Sequence, residues 1–252
     1  MDSQPTEHRF ASFDGVELAW TEVGEGRPVI LLHGLFSTAQ TNWIKYGTAA
    51  TVAAAGFRVI MPDLRGHGLS AKPHDAAAYP PDVLARDVAA LVEHLGLTDY
   101  DLGGYSLGAR TTIRCLVNGL KPRRAIASGM GLMGVTAVGA RTDWFLNVIA
   151  EAESFERGSD GWGAVQFMRS NKVDGEAVAH VLRAQVMTTA AEIAAIDTPI
   201  LLPCGKDDRD NGSAPELAEA LQHGDYAEIP GNHMSAVVGP ALGTVIAAFL
   251  VA

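Results

Sequence analysis

The chain has 252 residues, 48% of them hydrophobic, and sets 29 Asp+Glu against 19 Lys+Arg for a net charge of −10. That length fits one α/β domain with at most a modest insertion, and the apolar content excludes global disorder. The acidity argues against non-specific nucleic-acid or anionic-membrane binding, which needs clustered cations.

The N-terminus, MDSQPTEHRF, offers neither a basic n-region nor an apolar h-region. No window approaches the ~18 uncharged apolar residues of a membrane span. A soluble, cytoplasmic protein is the expectation. Strands are expected at His8–Phe13 and Val16–Val23, joined by an Asp14-Gly15 hairpin turn. Val29–Leu32 reads as a buried strand ending in His33-Gly34. Asn42–Ala55 reads as a helix stopped by Gly56, and Phe57–Met61 as the next strand. A glycine-rich turn, Arg65-Gly66-His67-Gly68, follows.

Pro80 and Pro81 open a helix with Val83, Leu84, Val88, Leu91, Val92 and Leu95 at helical spacing. Tyr100–Gly104 is a short strand, Leu107–Val117 a helix and Arg124–Ser128 another strand. From 132 to 196 the alternation stops in favour of helix, with Trp144, Phe145, Val148, Ile149, Ala152 and Phe155 on one apolar stripe. Residue by residue, such a stripe reads first as packing against the body; as a block, a helical insertion between strands suits a lid. The rest reads as strand Pro199–Pro203, helix Ser213–Gln222, strand Tyr226–Ile229 and helix Pro240–Val251. The alternation predicts a mostly parallel sheet covered on both faces. Cys115 and Cys204 have no metal-like or redox-like spacing and read as buried thiols.

Gly104-Tyr105-Ser106-Leu107-Gly108 carries the chemistry. A strand enters it and a helix leaves it, the context in which a serine sits on a tight, strained turn with its hydroxyl above the sheet. Leu107 N–H and the helix dipole would there face a developing oxyanion. A serine hydroxyl needs a base, and the base an orienting acid, in the chain order Ser, acid, His. Asp208 follows one late strand and His233 the next, both at the carboxyl edge where sites on parallel sheets collect. Asp207 and Asp210 compete for the acid role; Asp63 comes too early. His8, His74, His94 and His223 read as surface residues, His180 as a lid residue facing pocket or solvent, and His67 as structural. A second oxyanion donor is expected from the loop His33-Gly34-Leu35-Phe36.

These motifs, with the opening hairpin, Asp63–Ser70, Gly205-Lys206-Asp207-Asp208 and Gly231-Asn232-His233, resemble the α/β-hydrolase superfamily from Arg9 to Val251. The resemblance implies an eight-stranded, mostly parallel sheet flanked by helices in a single domain, 1–252, with a helical lid, 132–196, inserted after strand six. It places the acid three residues after the glycine, at Asp208, and the second oxyanion donor at Leu35. It is most similar to small esterases and lactonases with a helical cap. Epoxide hydrolases and haloalkane dehalogenases use a carboxylate nucleophile, where position 106 is Ser; cofactor-free haloperoxidases often have Trp where Leu35 stands. Phe36, Tyr105, Trp144 and Met234 are expected to shape the pocket.

The expected activity is hydrolysis of an ester or lactone of small to medium apolar character through an acyl-enzyme, with no cofactor or metal, and with a small-molecule partner but no nucleic acid or membrane. Carbon–carbon bond hydrolysis of ring-cleavage diketones by the same triad is the alternative. A ligand sensor of slow or single turnover is a third reading, as fold alone does not fix function.

Overall fold

The computed structural model describes residues 4–137 and 139–252. Its strands are β1 (Thr6–Ala11), β2 (Glu17–Val23), β3 (Arg27–Leu32), β4 (Phe57–Pro62), β5 (Asp101–Tyr105), β6 (Ala125–Ser128), β7 (Ile200–Gly205) and β8 (Gly224–Ile229). They form one eight-stranded sheet in the order β1-β2-β4-β3-β5-β6-β7-β8. β1 and β2 run antiparallel to their neighbours, and the remaining pairs are parallel. The chain leaves β3 for β4 on one side and later returns to place β5 on the other. That reversal opens a crevice at the carboxyl ends of β3 and β5, where open parallel sheets collect ligands.

The central strand shows why this sequence makes a two-faced sheet. Val29 and Leu31 point into one apolar layer, while Ile30 and Leu32 point into the other, the period-two alternation of a strand buried on both sides. On the first face lie α1 (Thr48–Ala54) and α10 (Pro240–Val251). On the second lie α2 (Val83–His94) and α3 (Leu107–Val117), the latter also packing toward β6, β7 and α9 (Ala214–Ala220). Each fully buried aliphatic side chain in these layers contributes about 1.5–3 kcal/mol.

Three local expectations are corrected. The hairpin turn is longer than two residues: Ala11 pairs with Glu17, and Asp14 inside the loop is bound by the buried Arg65 guanidinium at 2.6 and 2.9 Å. The helix expected over Asn42–Ala55 is two pieces, a π-helical turn at Gln40–Ile44 and then α1. Gly47, at φ +82°, breaks it, a conformation open to glycine. The helix expected from Pro80 starts at Val83, because Asp82 takes φ +58° and gives its carboxylate to Arg114 at 2.6 Å.

Between β6 and β7 the chain is helical, with α4 (Leu132–Thr136), α5 (Gly139–Ala150), α6 (Asp160–Ser170), α7 (Gly175–Arg183) and α8 (Ala190–Ala194). The outer two pack into the body through Val135 and Ile193. The middle three share a small core of their own, in which Val148, Val165, Met168, Val178 and Leu182 close around Phe36 from the loop after β3. Among the described residues no helix is long and apolar enough to cross a membrane.

Candidate active site

Ser106 sits between β5 and α3 with φ +53° and ψ −110°, a strained conformation for a residue with a side chain, of the kind that costs about 1–3 kcal/mol. The flanking glycines make that turn possible. A Cβ on Gly104 would lie 2.3 Å from the Gly108 backbone, and one on Gly108 would lie 2.1 Å from the Leu32 carbonyl oxygen. The turn is held by Ser106 N–H donating to the Ser128 carbonyl at 2.9 Å, and Leu107 begins α3. As the first helical residue, Leu107 has no carbonyl one turn back to occupy its N–H.

The two C-terminal loops arrive at the same rim. His233 Nε2 is 3.0 Å from Ser106 Oγ, and its Nδ1 is 2.8 Å from Asp208 Oδ2. Asp208 Oδ1 also accepts the Asp210 N–H at 3.0 Å. Burial would raise the Asp208 pKa, but the hydrogen bond and charge of His233 outweigh it and hold the carboxyl below its usual range. Of its rivals, Asp207 is exposed and Asp210 is ion-paired with Arg141 at 3.2 Å. The Tyr105 hydroxyl donates to the His233 carbonyl at 2.7 Å, and Asn232 Oδ1 accepts the Met234 and Ser235 N–H groups. The ring of His233 is therefore braced from below and along its own loop.

Sequence reasoning placed His33 in the oxyanion loop but gave its ring no role. The ring is fully buried; Nε2 accepts the Leu64 N–H at 3.0 Å, which leaves Nδ1–H to donate to the Gly34 carbonyl at 2.8 Å. That carbonyl belongs to the same trans peptide as Leu35 N–H, so fixing one directs the other the opposite way. Gly34 in turn packs on the nucleophile: a Cβ there would stand 3.6 Å from Ser106 Cβ. His67 stacks edge-on against His33, with Nδ1 donating to the Arg65 carbonyl at 3.2 Å.

Burial pushes the pKa of His33 down to about 4 and that of His67 to about 3. Both values are below the unfolded value near 6.5, so the unfolded chain binds more protons as pH falls from 6.5 toward 4. Stability held above pH 6.5 is lost through that window, because a protonated His33 cannot accept from Leu64. Urea midpoints at pH 7.5 and pH 5 are expected to differ by on the order of 3 kcal/mol in unfolding free energy. Equal stability at the two values would mean that these rings charge without resistance.

The other histidines bond elsewhere. His74 pairs with Asp174, His223 with Asp197 and His8 with Glu22; His94 packs against Phe10 and Trp20, and His180 stacks on Tyr79. Cys115 and Cys204 are both buried and free. Among the described residues no group of three or more His, Cys, Asp or Glu is arranged to hold a metal.

A cavity opens above Ser106, with Leu35, Leu107, Met130, Phe145 and Leu182 as its apolar wall. A concave, mostly apolar wall with a few polar groups beside the nucleophile is the usual form of a small-molecule site. The four pocket residues expected from sequence lie elsewhere. Phe36 is buried behind the wall, edge-on to Phe145 at 5.6 Å between ring centres. Trp144 packs on Phe145 from the solvent side, Tyr105 is a core strut, and Met234 is exposed.

A family model described as the α/β hydrolase fold matches residues 27–119. An epoxide hydrolase of Caballeronia sordidicola is 38% identical over 96 residues, which are 38% of this chain and 28% of that protein. An esterase from Exiguobacterium antarcticum superposes with a TM-score of 0.80 at 18% identity, covering 97% of this chain and 99% of the other. The enol-lactonase from Burkholderia xenovorans LB400 superposes at 0.75 with 23% identity, covering 97% and 100%. The two structural likenesses are of fold.

Proposed function

We propose that this chain, which has the α/β-hydrolase fold, is a serine hydrolase that cleaves a carboxylic ester or lactone through an acyl-enzyme. The reading is carried by one observation, the continuous hydrogen-bonded line from Asp208 through His233 to Ser106, 2.8 and 3.0 Å in its two steps. Ser106 Oγ attacks the carbonyl carbon while its proton passes to His233 Nε2. Asp208 holds the imidazole in the tautomer with Nδ1–H and stabilises the imidazolium that forms. The Leu35 and Leu107 N–H groups receive the oxyanion, and such preorganised donors supply much of the rate. The proton on Nε2 then goes to the leaving alkoxide, which departs as the alcohol. A water enters and gives a proton to Nε2 as its oxygen bonds to the acyl carbon; the acyl–Oγ bond then breaks, the acid leaves, and the proton returns from Nε2 to Ser106 Oγ.

The epoxide hydrolase likeness does not redirect this reading, since position 106 carries a hydroxyl and not a carboxylate. The test is a turnover panel of esters, lactones and vinylogous diketones, beside labelling with a fluorophosphonate reagent. Turnover of an ester or lactone with labelling at Ser106 is the expected result. Turnover of diketones alone would move the activity to carbon–carbon cleavage; a folded protein that stays unlabelled and inert would end the hydrolase reading.

A further inference from the structure

The cavity wall is not wholly apolar. Arg110 and Arg141 line it with Thr142, Gln185 and Asn211, and among the described residues no acidic side chain lines it, although the chain as a whole is strongly acidic. Arg141 is held at the rim by Asp210, which partly balances its charge. Arg110 is different. Among the described residues the buried arginines are Arg65, Arg110 and Arg114. Arg65 lies between Asp14 and Asp87, and Arg114 between Asp82 and Glu192. Arg110 has no carboxylate partner among those residues; its Nη1 and Nη2 donate to the Gly134 and Val186 carbonyls.

Its hydrogen bonds go to neutral carbonyls, and the Asp82 carboxylate, itself ion-paired with Arg114, offsets only part of the cost of burying its charge. Burial and the like charge of Arg114, against the opposing pull of Asp82, bring its pKa down to about 10, so it remains a cation at neutral pH. It stands one helical turn after the nucleophile, its N–H bonded to the Ser106 carbonyl at 2.9 Å. Ser106 lines the cavity and His233 does not. The leaving alcohol must face His233, so the cavity receives the acyl part.

Resting on the hydrolase reading above, we propose that Arg110 binds an ionised carboxylate in the acyl part of the substrate, within a few bonds of the scissile carbonyl. Preferred substrates are thus monoesters or lactones of short dicarboxylic acids, with the apolar wall against the intervening carbons. A planar, bidentate carboxylate supplies the ion-pair partner that Arg110 lacks among the described residues.

The test compares phenyl monoesters of succinic, glutaric and adipic acid with phenyl butanoate, pentanoate and hexanoate, in the unaltered protein and in Arg110→Gln and Arg110→Lys. The unaltered protein is expected to favour its best monoester over the neutral ester of equal chain length at least tenfold in kcat/KM. Arg110→Gln should lower that ratio at least tenfold, and Arg110→Lys should keep part of it. A merely structural tie to Gly134 and Val186 would reduce both rates and leave the ratio where it was, which would overturn the proposal. So would a ratio of one or less in the unaltered protein, a measurement that stands even if Arg110→Gln does not fold. Neutral esters turned over without preference would leave the hydrolase reading intact while removing this one. No ester turned over, with Ser106 unlabelled by the fluorophosphonate, would remove the hydrolase reading itself.

Discussion

Replacing Ser106 with alanine is expected to lower kcat by about 10³- to 10⁶-fold with little change in KM or in melting temperature. The substitution removes one oxygen and nothing else that positions the site. The Cβ stays at the same strained φ of +53°, and the Leu35 and Leu107 amides and the cavity wall are untouched. What vanishes is the atom that forms the acyl bond, so the residual rate is whatever oxyanion stabilisation and binding give to direct attack by water. Steady-state kinetics on the ester best turned over, with a thermal melt of the same preparation, measures both halves. A variant retaining a tenth of the parent kcat would show that another group is the nucleophile.

Asp208→Asn is expected to cost about 10⁴-fold in kcat, again with KM nearly unchanged. The local hydrogen bonds say why an isosteric change should be so damaging. Oδ1 of Asp208 accepts the Asp210 N–H, while Oδ2 faces His233 Nδ1. An asparagine would keep its one oxygen toward Asp210 and turn its NH₂ toward His233. The imidazole must then accept at Nδ1 and carry its proton on Nε2, where it cannot take the proton of Ser106. The charge that would stabilise the imidazolium is lost as well. Asp207→Asn serves as the control: its side chain is exposed and its kcat should stay within about twofold, as for an ordinary surface change. Equal damage from Asp207→Asn would show that the acid had been assigned to the wrong residue.

Much of this architecture could be read before any coordinates. The alternation of Val29, Ile30, Leu31 and Leu32 between two apolar layers follows from a strand that is buried on both faces. Gly104 and Gly108 could be read as sites without room for a side chain, and the structure fills both spaces with backbone. The order Ser, acid, His named three loops that the parallel strands carry to one rim. Less legible were the breaks within elements. Gly47 splits an expected helix and Asp82 delays another, because Asp82 serves Arg114, 32 positions away in the chain.

The sequence by itself determined the sheet-and-helix alternation, the tight turn at position 106 and the candidate order of the catalytic groups. These are set by backbone geometry over a few neighbouring residues, which periodicity and glycine spacing record directly. Only the tertiary structure shows Asp208 and not Asp207 against His233, His33 holding the Leu35 peptide, Phe145 and Leu182 beside Leu35 in the cavity wall, and Arg110 bound to main-chain carbonyls. Those outcomes depend on which side of a turn each side chain leaves and which distant residue meets it. That is fixed by strand register and packing across the whole chain, for which local sequence carries no signal.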